Sequence, residues 1–135
     1  RALCHFDNAY WLPEVVMHKD LNCGCCSAWA EHLAANGFRV KTVASNDMES
    51  VKRRLAVPQR LTSCHTAKVG GYVIEGHVPA SAIKRLLREK PAVAGLSVPG
   101  MPLGSPGMEV PGKKDAYDVV AFDKAGKTAV FESHR

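Results

Sequence analysis

The stretch Glu14-Val15-Val16-Met17-His18-Lys19-Asp20-Leu21-Asn22-Cys23-Gly24-Cys25-Cys26 decides the fold. Glu14 to His18 is short, apolar and β-branched, which predicts a strand. Cys26 to Asn36 then reads as a helix, with Trp29 and Leu33 four apart on one face and Gly37 where a helix commonly stops. The strand thus delivers the chain to a Cys-x-x-Cys pair, Cys23 and Cys26, at a helix N-terminus, with Cys25 inserted between them.

Reading outward, Phe38 to Val43 alternates apolar Phe38 and Val40 with basic Arg39 and Lys41, as a half-buried strand does. Asn46 with Glu49 three residues on predicts a helix start, Met48, Val51 and Leu55 mark its inner face, and Pro58 ends it. Thr66–Val69, Gly70-Gly71 and Tyr72–Glu75 predict a tight hairpin. Pro79 suits the first residue of a further helix, whose core face is Ile83, Leu86 and Leu87 and which Pro91 closes. The order β-α-β-α-β-β-α is that of a thioredoxin fold. Residues 95–112, rich in Gly and Ser and holding four prolines with Met101 and Met108, read as a long loop. Tyr117–Phe122 and Thr128–Phe131 flank Asp123–Lys127 as a terminal hairpin. The expected architecture is therefore α/β and thioredoxin-like. A lead-in covers 1–13, the thioredoxin-like domain 14–92, and a C-terminal extension of Met/Gly/Pro loop plus β-hairpin, contributing to a metal site, 93–135.

A chain of 135 residues fits one domain of the usual size, about 150 residues. Its 46% apolar and 23% charged content is that of an ordinary globular protein and excludes a largely disordered one. No apolar run approaches the roughly 18 residues a membrane span needs. The first residue is Arg1, so the sequence reads as a trimmed or processed form, and the lack of a signal peptide says nothing of location. The net charge is +5, but Lys52, Arg53 and Arg54 on one predicted helix, and Lys84, Arg85, Arg88 and Lys90 on another, read as solvated faces. With no aromatic interleaving and no recognition motif, nucleic acid is not an expected partner. Phosphate-loop, dinucleotide, nucleophile-elbow and His-Glu-x-x-His motifs are all absent.

The chemistry lies in the cysteines. Of five, three fall within four residues, and Cys64 and Cys4 stand apart, whereas a disulfide scaffold would spread its pairs. A helix N-terminus stabilises thiolate, which is both the nucleophile of disulfide exchange and the metal ligand. Exchange needs two thiols, and a third beside them offers competing disulfides. Three clustered thiolates suit a soft ion such as Cu(I). The antiparallel hairpin brings the residues before its first strand, Cys64-His65, beside those after its second, His77. In thioredoxin order the exit of the first strand, at Cys23, faces the same end. The predicted cluster is Cys23, Cys25, Cys26, Cys64, His65 and His77. Met101 and Met108 either plug core gaps or offer thioethers to Cu(I). Met17 and Met48 read as core, His18, His32 and His134 as surface or structural, and Cys4-His5 as a minor soft site.

Asn22–Cys26, Ser63-Cys64-His65-Thr66, Gly76-His77-Val78-Pro79 and Val98–Glu109 together resemble the CopG-type copper-resistance proteins, over residues 14 to about 132. The resemblance implies a monomeric periplasmic protein working beside a copper efflux system. It also implies a multinuclear copper–thiolate cluster on Cys23, Cys25, Cys26 and Cys64, with nearby histidines and the methionine loop as further ligands. The role it implies is interconversion of Cu(I) and Cu(II), for which Cys23 and Cys26 would be the catalytic pair. One departure from thioredoxins is local: Cys64-His65-Thr66 stands where they carry a proline before the strand. That weighs against general disulfide exchange with proteins. The rival readings are a non-catalytic copper chaperone or buffer, a thiol-disulfide oxidoreductase, and an iron–sulfur carrier.

Overall fold

The computed structural model describes residues 12–134. Cys4, His5 and most of the expected lead-in lie outside the described residues. In chain order the elements are β1 (Val15–Asp20), α1 (Gly24–Ala35), β2 (Val40–Ser45), α2 (Met48–Arg54), a 3-10 turn (Gln59–Leu61), β3 (His65–Val69), β4 (Tyr72–Glu75), α3 (Ala80–Glu89), β5 (Gly95–Ser97), β6 (Tyr117–Phe122) and β7 (Thr128–His134). They build one seven-stranded sheet ordered β2-β1-β3-β4-β5-β6-β7. β1 runs parallel to β2 and antiparallel to β3, and β3 runs antiparallel to β4. That is the thioredoxin-like arrangement, and the extension continues it: β5 joins β4 in parallel, and the β6–β7 hairpin follows antiparallel.

Strand alternation divides the core. On one face Val15, Met17, Ala67, Val69, Ile74 and Leu96 pack with Trp29 and Leu33 of α1 and Ile83 and Leu86 of α3. On the other, Val73 and Phe122 pack with Val57 and Leu61 from the segment after α2. Adjacent Val73 and Ile74 of β4 therefore serve opposite cores.

Three local expectations are corrected. Gly95-Leu96-Ser97 is a strand, not the start of a loop: all three residues are buried and pair with Val73–Glu75. Glycine is required there, because a Cβ at Gly95 would sit 1.8 Å from the Val73 carbonyl oxygen. No propensity in Gly-Leu-Ser announces such a strand; the open edge of β4 recruits it. The α2 cap is Asp47 rather than Asn46, its carboxylate accepting the Ser50 N–H at 3.2 Å. Pro79 occupies the cap position of α3, one residue before the helix, where its missing N–H costs nothing.

Candidate metal centre

α1 begins at the exit of β1, and Cys23 is its N-cap residue, without a side-chain cap hydrogen bond. Its sulfur is engaged elsewhere: Cys23 and Cys26 form a disulfide, with Cα atoms 5.6 Å apart. Cys26 faces the core below the turn and is fully buried, while Cys23 is partly buried. Cys25 lies in the first helical turn between them.

Cys64 ends the loop leading into β3, and its sulfur joins two sets of donors. One is Cys23, Cys26 and Cys64; the other is Cys64, His65 and His77; within each, the donor atoms all lie within 4.8 Å of one another. Cys64 Sγ is 3.2 Å from His65 Nδ1 and 3.0 Å from His77 Nε2. Five of the eight residues singled out in the sequence therefore meet at one end of the sheet, as the hairpin argument required.

Burial disfavours the charged form of both histidines. His65 is fully buried, with its ring centroid 4.3 Å from that of Trp29. Burial, reinforced by His77 and by the Lys52 ammonium, pushes its pKa down to about 3. Its Nε2 is buried with no hydrogen-bond partner among the described residues. The nitrogen that faces Cys64 is the other one, Nδ1. Burial also lowers the pKa of His77. His77 Nδ1 donates to the carbonyl of Pro106, which leaves the Nε2 lone pair directed at Cys64. The long loop supplies that carbonyl, and Gly107 permits its approach. Gly107 has φ +91, and a Cβ there would fall 2.8 Å from His77 Nδ1 and 3.1 Å from the Trp29 nitrogen.

Beneath Cys64 lies a network that the sequence reading missed. Glu75 is fully buried at the end of β4, and its carboxylate accepts from Ser63 N–H (2.7 Å) and Thr66 Oγ1 (2.5 Å), and pairs with Lys52 Nζ. Lys52 also donates to Thr66 Oγ1 at 3.0 Å. The expectation of a solvated Lys52 is thereby corrected: its side chain is 13% exposed, whereas neighbouring Arg53 is 70% exposed. The network ties the residue before Cys64 to the strand that leads to His77. A glutamate ending an alternating strand and a lysine in a basic run both read as solvent-facing, so only the Thr66–Glu75 register reveals them.

Met101 is 47% exposed, and Met108 is half-buried one residue beyond Gly107, its N–H bonded to Ser105. His32 Nε2 accepts the Ala80 N–H at the start of α3 at 3.0 Å, a structural role. His134 stacks on Tyr117 and contacts Glu132. Met17 is core.

Thiols with imidazoles form a soft-to-borderline donor set that selects Cu(I) or Zn over hard cations. Fold and site together define a thioredoxin-like protein in which Cys23, Cys26, Cys64, His65 and His77 bring together donor atoms of the kind that hold a soft metal ion. Two solved structures of a copper resistance protein, copG, in forms 1 and 2, are similar to this chain. They are 47% and 46% identical, with TM-scores of 0.85 and 0.87, covering 90% and 91% of this chain and 98% of theirs. A family described as "Protein of unknown function, DUF411" matches residues 61–108, the stretch from before Cys64 to Met108. No curated protein sequence matches. The chain belongs to the CopG-type family of copper-resistance proteins.

Proposed function

We propose that this protein binds copper in copper resistance, holding it on Cys23, Cys25, Cys26 and Cys64 with His65 and His77, and interconverts Cu(I) and Cu(II). The observation that carries the reading is Cys64, which shares one sulfur between the cysteine turn and the two histidines. A donor set of sulfurs and neutral imidazoles serves both oxidation states, soft sulfur favouring Cu(I) and nitrogen accepting Cu(II). Several sulfurs within one site favour thiolate bridges between ions, hence more than one copper per chain. Met101 and Met108 are proposed as loop ligands on the strength of Gly107, which brings their loop against His77.

The periplasm is the proposed compartment, since a disulfide between Cys23 and Cys26 persists where the surroundings oxidise. Among the described residues no helix is long and apolar enough to cross a membrane. Components of a copper efflux system are the proposed partners, and a monomer the proposed working unit, with the extension from residue 93 onward as part of the site.

Elemental analysis of the purified protein, with and without reductant, tests the reading. Copper should load on the reduced chain, and the cysteine-turn share should fall away when Cys23, Cys25 and Cys26 are all replaced by Ser in a folded variant, leaving only what Cys64, His65 and His77 can seat. Full copper loading of that variant would overturn the proposal. A buffer would bind copper without changing its oxidation state. The disulfide favours one rival, thiol–disulfide exchange, which would proceed at the same rate without copper and without Cys25.

A further inference from the structure

The Cys23–Cys26 disulfide spans a sequence separation of three. Stabilisation by a crosslink grows with the loop it closes, so a bridge this short does little for the fold. Its surroundings point to chemistry instead. Both sulfurs are within 4.8 Å of Cys64, and Cys64 belongs to a second donor set that uses neither of them. The disulfide joins Cys23 to Cys26 and leaves that second set its own three donor atoms. The set is anchored independently, by the Pro106 carbonyl on His77 and the Glu75 clamp on Ser63. The structure therefore places a two-electron couple within 4.8 Å of a sulfur that also belongs to a sulfur–nitrogen donor set.

We propose that the Cys23–Cys26 pair is the electron source for copper reduction, with Cys64, His65 and His77 as the seat at which Cu(II) accepts the electrons. The inference rests on the copper-binding reading above and adds where the electrons come from. The Cys23 and Cys26 thiols lose two electrons and their two protons, and a sulfur–sulfur bond forms. Two Cu(II) ions, arriving in turn, each gain one electron and become Cu(I), while the protons pass to solvent. Soft sulfur at the seat stabilises Cu(I) over Cu(II) and drives the transfer in that direction. Closing the disulfide also withdraws two soft ligands from the cluster, so oxidation of the pair loosens the Cu(I) it has made. Return to the dithiol requires an external dithiol donor. Its thiolate attacks the partly buried Cys23 sulfur, and Cys26 departs as the thiolate.

Anaerobic mixing of the fully reduced protein with two equivalents of Cu(II) tests this. Cu(I) is read with a chromogenic chelator, remaining Cu(II) by electron paramagnetic resonance, and the new disulfide by peptide mass mapping. The expected result is two Cu(I) formed and two thiols lost per chain, with the new linkage between Cys23 and Cys26. The Cys23→Ser/Cys26→Ser double variant should keep Cu(II) at the remaining set, visible by resonance, and lose the Cu(I) yield. Bound copper with all thiols intact in the parent, a linkage between other cysteines, or an undiminished Cu(I) yield in the double variant would each overturn the inference alone. Copper that leaves both proteins on gel filtration would overturn the copper-binding reading along with it.

Discussion

Cys64 Sγ lies 3.0 Å from Nε2 of His77, thirteen residues along the chain. A two-residue turn makes this contact: β3 and β4 run back to back across Gly70-Gly71, so the residue before one strand meets the residue after the other. The pair is then fixed from both sides. Pro106 holds the far nitrogen of His77, and Glu75 holds the backbone beside Cys64.

Gly107→Ala should displace the loop, because the added carbon meets His77 Nδ1 at 2.8 Å in a left-handed backbone conformation. Loss of an outer-shell partner of a ligating histidine typically weakens metal binding about 10- to 100-fold. Competition with a Cu(I) chelator should show a loss of that size. Unchanged affinity would mean that Pro106 does not orient His77.

Glu75→Gln leaves Lys52 without its buried counter-charge. Breaking a buried pair from one side costs about 3–5 kcal/mol, while replacing both partners by apolar groups is often neutral. Urea denaturation should show a large loss for Glu75→Gln and recovery for Lys52→Met with Glu75→Leu. In that double variant the Ser63 N–H still lacks its acceptor, so copper binding should stay impaired although stability returns.

His65 makes apo-protein stability dependent on pH. Its pKa is lowered from 6.5 to about 3 by burial first, then by His77 and Lys52. Between those values the unfolded chain binds a proton that the folded chain refuses. Stability therefore rises with pH through that window and is lost as pH falls through it. His65→Phe should flatten the acid limb of a stability–pH curve; an unchanged limb would assign acid sensitivity to other groups.

Met101→Leu with Met108→Leu preserves volume, and swaps of that kind usually cost less than about 1.5 kcal/mol. Met101 is already 47% exposed, so the metal-free variant should melt close to the parent. Copper should be held more weakly or oxidise faster. Equal affinity and oxidation rate would make the two methionines packing residues only.

The sequence by itself determined the elements whose signals are local. The Trp29–Leu33 repeat and the Gly70-Gly71 turn each encode their structure within a few residues, the strand expected at Phe38–Val43 forms slightly later at Val40–Ser45, and the order of elements follows. It also pointed to Cys64, His65 and His77 beside the Cys23–Cys26 turn, because antiparallel pairing across a tight turn joins Cys64-His65 to His77 and the thioredoxin-like strand order brings the exit of β1 to the same end. Tertiary structure alone decided the rest. Gly95–Ser97 became a strand through β4, with no propensity of its own. Lys52 and Glu75 left solvent because α2 packs over the Thr66–Glu75 pair, a contact across twenty-three residues. The hydrogen-bonding direction of His77 was set by a proline carbonyl twenty-nine residues away. These are partnerships between polar groups distant in the chain, and hydrophobic periodicity carries no record of which polar group will face which once the core has closed.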